Sequence, residues 1–284
     1  MTITNRTNGT SGRRVPRSKT GTPSHILPVI SLFSGSGGLD LGFCNAGFTP
    51  VLAMDASAAA CLTYEHNHPG TRVLRRDLSE LPRNYVLDRL SELASGVKPI
   101  GVVGGPPCQA FSQGNGYKRD DDPRALLSKS YASILRQVNN AFNLDFFVFE
   151  NVLGLKHKRH DEQFKLFKRL FASAGFRIFE SELNAYDFGV AQVRRRLFIV
   201  GLNQWKFPDV EFKFPAPKGK QGKTVRDLIG DLPKPVFFRQ KQISGRFSIS
   251  PQSLVHGSEI GSLFRWIFRR GRPEGTPVSC PSMG

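Results

Sequence analysis

Four short stretches of the sequence combine residue types that can do chemistry. Cys108 stands in "GGPPCQAFS", directly after Pro106 and Pro107, and the proline pair pre-sets the backbone that would carry the thiol. A thiolate held in an exposed, electropositive place is a nucleophile; a lone cysteine is otherwise a small buried hydrophobe. Glu150 in "FVFENV" ends an apolar run. Its carboxyl is either aimed at the same substrate or serves as a helix cap or ion-pair partner. "QVRRR" supplies Gln192, Arg194 and Arg196. Side chains alternate along a strand, so Arg194 and Arg196 share one face and Arg195 points away. Such a strand either lines a site or presents a solvated basic face that touches phosphates alone.

The fourth stretch, "FSGSGGLDLGF", places Gly35, Gly37 and Gly38 between an apolar run and a helix-like segment. Glycine lets a ligand approach the backbone closely, and a helix N-terminus offers unpaired N–H groups. The spacing departs from the GxGxxG dinucleotide pattern. Asp55 ends the next apolar run, where an acid can accept the ribose hydroxyls of an adenosine cofactor. Asp77, near the end of a third run, could receive an adenine amino group. Either acid also reads as an N-cap. The four cysteines, Cys44, Cys61, Cys108 and Cys280, contain no CxxC pair, so neither a metal site nor a disulfide framework is expected and an intracellular location is.

These residues need a scaffold that brings them together. "ILPVISLF", "FTPVLAMD", "TRVLRRDLSEL", "KPIGVVGG", "LDFFVFENV", "RIFESELNAYDFG" and "RRRLFIVGL" read as strands. Helical patterns separate most of them: after the glycine turn, then "ASAAACLTYEHNH", "SKSYASILRQVNNAF" and "HDEQFKLFKRLFASAGF", the last stopped by Gly175. Strands alternating with helices imply an α/β fold with a doubly wound, mostly parallel sheet. Ligands of such sheets bind outside the carboxyl ends of the strands, where all four chemical stretches fall. Three regions follow: 1–26, a disordered basic tail; 27–205, the α/β domain; 206–284, a loop-rich basic segment in which "TVRDLIGDLP" is one short helix.

The 284 residues carry a net charge of +17, unevenly placed. Residues 1–27 hold +5, residues 28–151 hold −1, and residues 152–284 hold +13. A basic C-terminal half suits a polyanion, most simply nucleic acid, with a solubilising surface as the plainer reading. No apolar run is long enough to span a bilayer, and the N-terminus lacks a signal-peptide core.

"SLFSGSGGLDLGF", "GGPPCQAFSQGN", "FVFENVLGL" and "QVRRRLFIVG", in this order and spacing, resemble the DNA (cytosine-5)-methyltransferases over about Ile30 to Gly201. The resemblance implies a Rossmann-like methyltransferase fold, S-adenosylmethionine as cofactor and double-stranded DNA as partner. It implies Cys108 as nucleophile at carbon 6 of a flipped cytosine, Glu150 on the N3 and amino edge, and Arg194 on O2 or the carboxylate, with Arg196 close behind. It assigns Phe33, Gly35, Gly37, Leu39, Asp55, Asp77, Leu78 and Pro106 to the cofactor. The "QAFSQGNG" loop resembles the family's mobile loop over the flipped base. A bacterial, cytoplasmic restriction-modification enzyme is the expected setting.

The sequence departs from the family pattern in three places. Asp55 stands where the family usually has Glu, and Ile100 where many members carry an acid or amide. Only 83 residues follow Gly201, without a Gly-Asn-Ser-Val-like turn. The C-terminal lobe is therefore expected to be incomplete, as in a truncated product or one half of a two-chain enzyme. Two other readings stay open: an inactive or partner-dependent DNA-binding remnant, and a tRNA cytosine-5 methyltransferase.

Overall fold

A computed structural model describes residues 26–82, 84–93, 97–107, 124–217 and 224–231. The strands are β1 (Leu27–Leu32), β2 (Phe48–Asp55), β3 (Arg72–Arg75), β4 (Gly101–Gly104), β5 (Phe146–Asn151), β6 (Phe176–Asn184) and β7 (Arg195–Asn203). The helices are α1 (Gly38–Asn45), α2 (Ala58–Asn67), α3 (Tyr85–Ser91), α4 (Arg124–Phe142), α5 (Asp161–Ser173) and α6 (Val225–Ile229). One seven-stranded sheet runs in the order β3-β2-β1-β4-β5-β7-β6. The first five strands are mutually parallel, and β7 is antiparallel to both β5 and β6.

The apolar runs become strands because both faces of the sheet are covered. β5 illustrates this. Phe147 and Phe149 point into a core built with Tyr131 and Leu135 of α4 and Phe167 and Phe171 of α5. Phe146 and Val148 point the other way, onto Phe43 of α1 and Phe212. Each fully buried ring of this kind stabilises the fold by roughly 1.5–3 kcal/mol. Glu150 continues the second of these alternations, and so stands on the α1 side of the sheet at the carboxyl end of β5.

The expected doubly wound, mostly parallel architecture and its seven strands are present. The sequence pattern misses α3, whose seven residues bury only Val86 and Leu90. The expected sixth strand is shortened. It ends at Asn184, where a 3₁₀ turn over Ala185–Phe188 begins and the Asn184 side chain takes the backbone N–H of Arg194 at 3.0 Å. The strand's pairing with β7 ends at this point, so the chain turns. The short helix expected in "TVRDLIGDLP" is α6, started by a capping box between Thr224 and Asp227. The basic tail, the Cys108 loop and most of 206–284 lie outside the described residues.

Candidate functional site

The site is assembled at the carboxyl ends of β1, β4 and β5. The turn after β1 bends sharply: Phe33 has φ 53, Gly35 φ 54 and Gly37 φ 87. Positive φ is uncommon for a bulky residue, so the Phe33 backbone carries local strain of the kind that gathers at binding sites. A side chain at Gly35 or Gly38 would project into open space. At Gly38, which has ordinary φ, glycine therefore keeps a cradle clear rather than relieving crowding. That cradle is one wall of a cavity of about 350 Å³. Phe33, Ser34, Gly38 and Leu39 line it from the turn, and Gly104, Gly105, Glu150, Arg194 and Phe198 line it from the other strands.

Asp55 ties β2 to this turn. Its Oδ2 accepts the Gly35 N–H at 2.9 Å and its Oδ1 the Ser57 N–H at 2.8 Å. Ser57, not Asp55, is the N-cap of α2. Each carboxylate oxygen keeps a further lone pair for a hydroxyl donor. Asp77 is exposed, and its Oδ1 accepts both the Ser79 N–H and the Ser79 hydroxyl, which hold its pKa below the ordinary value. Leu78 is buried in the core beside Leu52 and Met54. Neither Asp77 nor Leu78 lines the cavity.

Glu150 is the chemical centre of the described site. Arg196 donates from Nε to its Oε1 at 3.1 Å. Burial pushes the Glu150 carboxyl up, and the charges of Arg196 and then Arg194 oppose the rise without cancelling it. Arg196 thus makes the direct contact, while Arg194 lies on the cavity wall. Arg195 points to the other side and pairs with Glu182 at 3.1 Å, as strand alternation requires. The loop toward Cys108 begins against the same carboxyl. A Cβ at Gly105 would lie 2.8 Å from Glu150 Oε2 and would push that carboxyl aside. Pro106 is buried, and its carbonyl accepts a long hydrogen bond from Asn151 Nδ2 at 3.4 Å. Cys108 itself lies outside the described residues.

Several contributors were not singled out by residue type or spacing. Asn151 had a signal, since it follows Glu150 and is buried at a strand end. Asp40 lines the cavity from the first turn of α1. It is fully buried, accepts a hydrogen bond from Ser31 Oγ at 2.8 Å, and is raised by burial to about 6. Ser34 Oγ and Asp40 Oδ1 are buried without a partner among the described residues. Both belong to residues of the cavity wall, and neither atom is open to the cavity.

The family model for the C-5 cytosine-specific DNA methylases matches residues 27–269. The chain belongs to this family. Among curated relatives, the type II methyltransferase M.FnuDI of Fusobacterium nucleatum is 38% identical over 207 residues, covering 72% of this chain and 56% of that protein. M.AquIA of Picosynechococcus sp. is 34% identical over 240 residues, covering 80% of this chain and 92% of that protein. A crystal structure described as a DNA modification methyltransferase encoded within an E. coli prophage superposes with a TM-score of 0.60 at 28% identity, over 74% of this chain and 56% of that one. The chain spans little more than half the length of M.FnuDI, M.MthTI and M.NgoPII, which it matches at 34–38% identity.

Proposed function

We propose that this C-5 methylase transfers a methyl group to carbon 5 of cytosine in double-stranded DNA, with S-adenosylmethionine as donor. The observation that carries this reading is the position of Glu150: against the start of the Pro-Pro-Cys loop, bonded to Arg196, and on the wall of the glycine-turn cavity. The cavity fits a nucleoside cofactor. It has an open glycine cradle, and Asp55 is fixed at the adjoining strand end. Phe33, Gly35, Gly37, Leu39, Asp55 and Pro106 would hold it, and the exposed Asp77 would reach the adenine side, with the Leu78 side chain beneath it in the core. When bound, S-adenosylmethionine supplies an electrophilic methyl group.

The chain's own residues prepare the base. The thiolate of Cys108 adds to carbon 6, and the ring electrons become available at carbon 5. A glutamate whose carboxyl retains its proton above the usual range donates to N3 during that addition, so the ring does not carry a full negative charge. Arg194 and Arg196 hold the carboxylate and the O2 edge. After methylation, carbon 5 gives its proton to water, the N3 proton returns to the Glu150 carboxylate and the thiolate leaves, which restores the aromatic ring. The target base leaves the duplex to reach the thiol. The +13 charge of residues 152–284 binds phosphates, and the working location is the bacterial cytoplasm within a restriction-modification system.

The test uses labelled methyl donor with DNA or tRNA, and 5-fluorocytosine DNA as a covalent trap. Label in DNA, with an adduct lost in Cys108→Ser and Cys108→Ala, is the expected result. Label in tRNA alone would replace DNA as substrate, and an adduct persisting in Cys108→Ala would overturn the nucleophile. Methylation appearing only on addition of a second chain would assign recognition to that chain. Site-specific methylation by this chain alone would assign it to residues 206–284.

A further inference from the structure

The glycine turn is held from beneath by a residue outside the chemical stretches. His68 ends α2 as its C-cap and is 8% exposed. Its Nε2 lies 3.1 Å from the Gly37 carbonyl oxygen. A carbonyl oxygen only accepts, so Nε2 carries the proton. Burial lowers the His68 pKa and favours the neutral ring. In the neutral ring Nδ1 is then an acceptor, and the Cys44 sulfur lies 3.8 Å from it. A thiol S–H is a donor, so the contact favours this tautomer. Tyr64 packs on the ring with centroids 4.4 Å apart.

The position that His68 holds matters to the cavity. Gly37 is the N-cap of α1, and its carbonyl also accepts the Leu41 N–H at 2.9 Å, the first hydrogen bond of that helix. The next two residues, Gly38 and Leu39, line the cavity. A Cβ at Gly37 would collide with the His68 ring, so this glycine and this histidine require each other. Resting on the cofactor reading above, we propose that His68 is a positioning residue for the methyl-donor site. Its Nε2–H tautomer, set by the Cys44 thiol, fixes the Gly37 carbonyl and thereby the glycine turn on which the cofactor docks.

The experiment measures S-adenosylhomocysteine and S-adenosylmethionine binding to the full chain by calorimetry, with melting temperatures alongside. His68→Leu removes the donor, and His68→Gln places an amide N–H at nearly the same reach. Loss of this hydrogen bond should weaken binding about fivefold to tenfold in His68→Leu, with His68→Gln within about twofold of wild type. Long-range proton–nitrogen spectra of the wild-type ring should show a protonated Nε2 and a bare Nδ1, with both signals moving on saturation with S-adenosylhomocysteine. Wild-type affinity in a folded His68→Leu chain would overturn the proposal. Equal weakening in the two variants would reduce His68 to packing and overturn it as well. If His68→Leu does not fold, the ring spectrum and His68→Gln decide. A wild-type chain that binds neither ligand would sink the cofactor reading itself, and the tautomer would still judge the Gly37 bond.

Discussion

Replacing Asp40 with asparagine should make the protein more stable, and only above a definite pH. Asp40 is fully buried in the first turn of α1, and burial raises its pKa from 3.8 to about 6 against the pull of Ser31 and Tyr64. Near pH 4 the folded carboxyl is neutral and the unfolded one about half ionised, so the difference it contributes is still small. As pH rises past 3.8 the unfolded chain ionises and the folded chain does not. Stability therefore falls through this window, and the loss is complete above about pH 6. A difference of about two pKa values at 1.36 kcal/mol each gives a deficit of about 3 kcal/mol. Asp40→Asn removes the charge and keeps an oxygen for the Ser31 hydroxyl, which donates at 2.8 Å. The variant should match wild type near pH 4 and exceed it by up to about 3 kcal/mol at pH 8. Guanidinium unfolding of both proteins from pH 4 to pH 8 measures this. A difference that stays flat with pH, or a variant less stable at pH 8, would refute the assignment of a buried carboxyl that resists ionisation.

Other expectations follow from the same geometry. Arg196→Ala removes the nearer of two cations opposing the burial of Glu150, so carbon-13 titration of that carboxyl should move upward, and by more than in Arg194→Ala. Equal shifts would contradict the order of the two contacts. Gly105→Ala places a Cβ 2.8 Å from Glu150 Oε2 and should displace the carboxyl. Methylation should fall by up to about 100-fold, the loss that about 1 Å of misplacement can cause, with a normal rate counting against Glu150. Asp55→Ala removes the acceptor of the Gly35 and Ser57 N–H groups. Calorimetry should show S-adenosylmethionine binding weakened by about 1–3 kcal/mol, and melting should show lost stability. A variant that melts like wild type would mean that water replaces both bonds.

The sequence by itself determined the sheet and the places where chemistry gathers. Strands covered on both faces are apolar throughout, so β1, β4 and β5 were legible as short runs, and Asp55 at the end of β2 and Glu150 near the end of β5 as polar ends. The opposed faces of Arg195 and Arg196 were legible for the same local reason, because side chains alternate along a strand. α3 was not legible, since seven residues with two buried side chains carry too little periodicity. Tertiary structure alone decided that Arg196 rather than Arg194 bonds Glu150, and that a side chain at Gly105 would push that carboxyl aside. It also decided that His68, 31 residues from Gly37, supports the turn, and that Asp40 is buried deeply enough to resist ionisation. Residue type and spacing report on neighbours in the chain. Desolvation and contacts between distant residues depend on how the layers close over one another, and no local pattern encodes them.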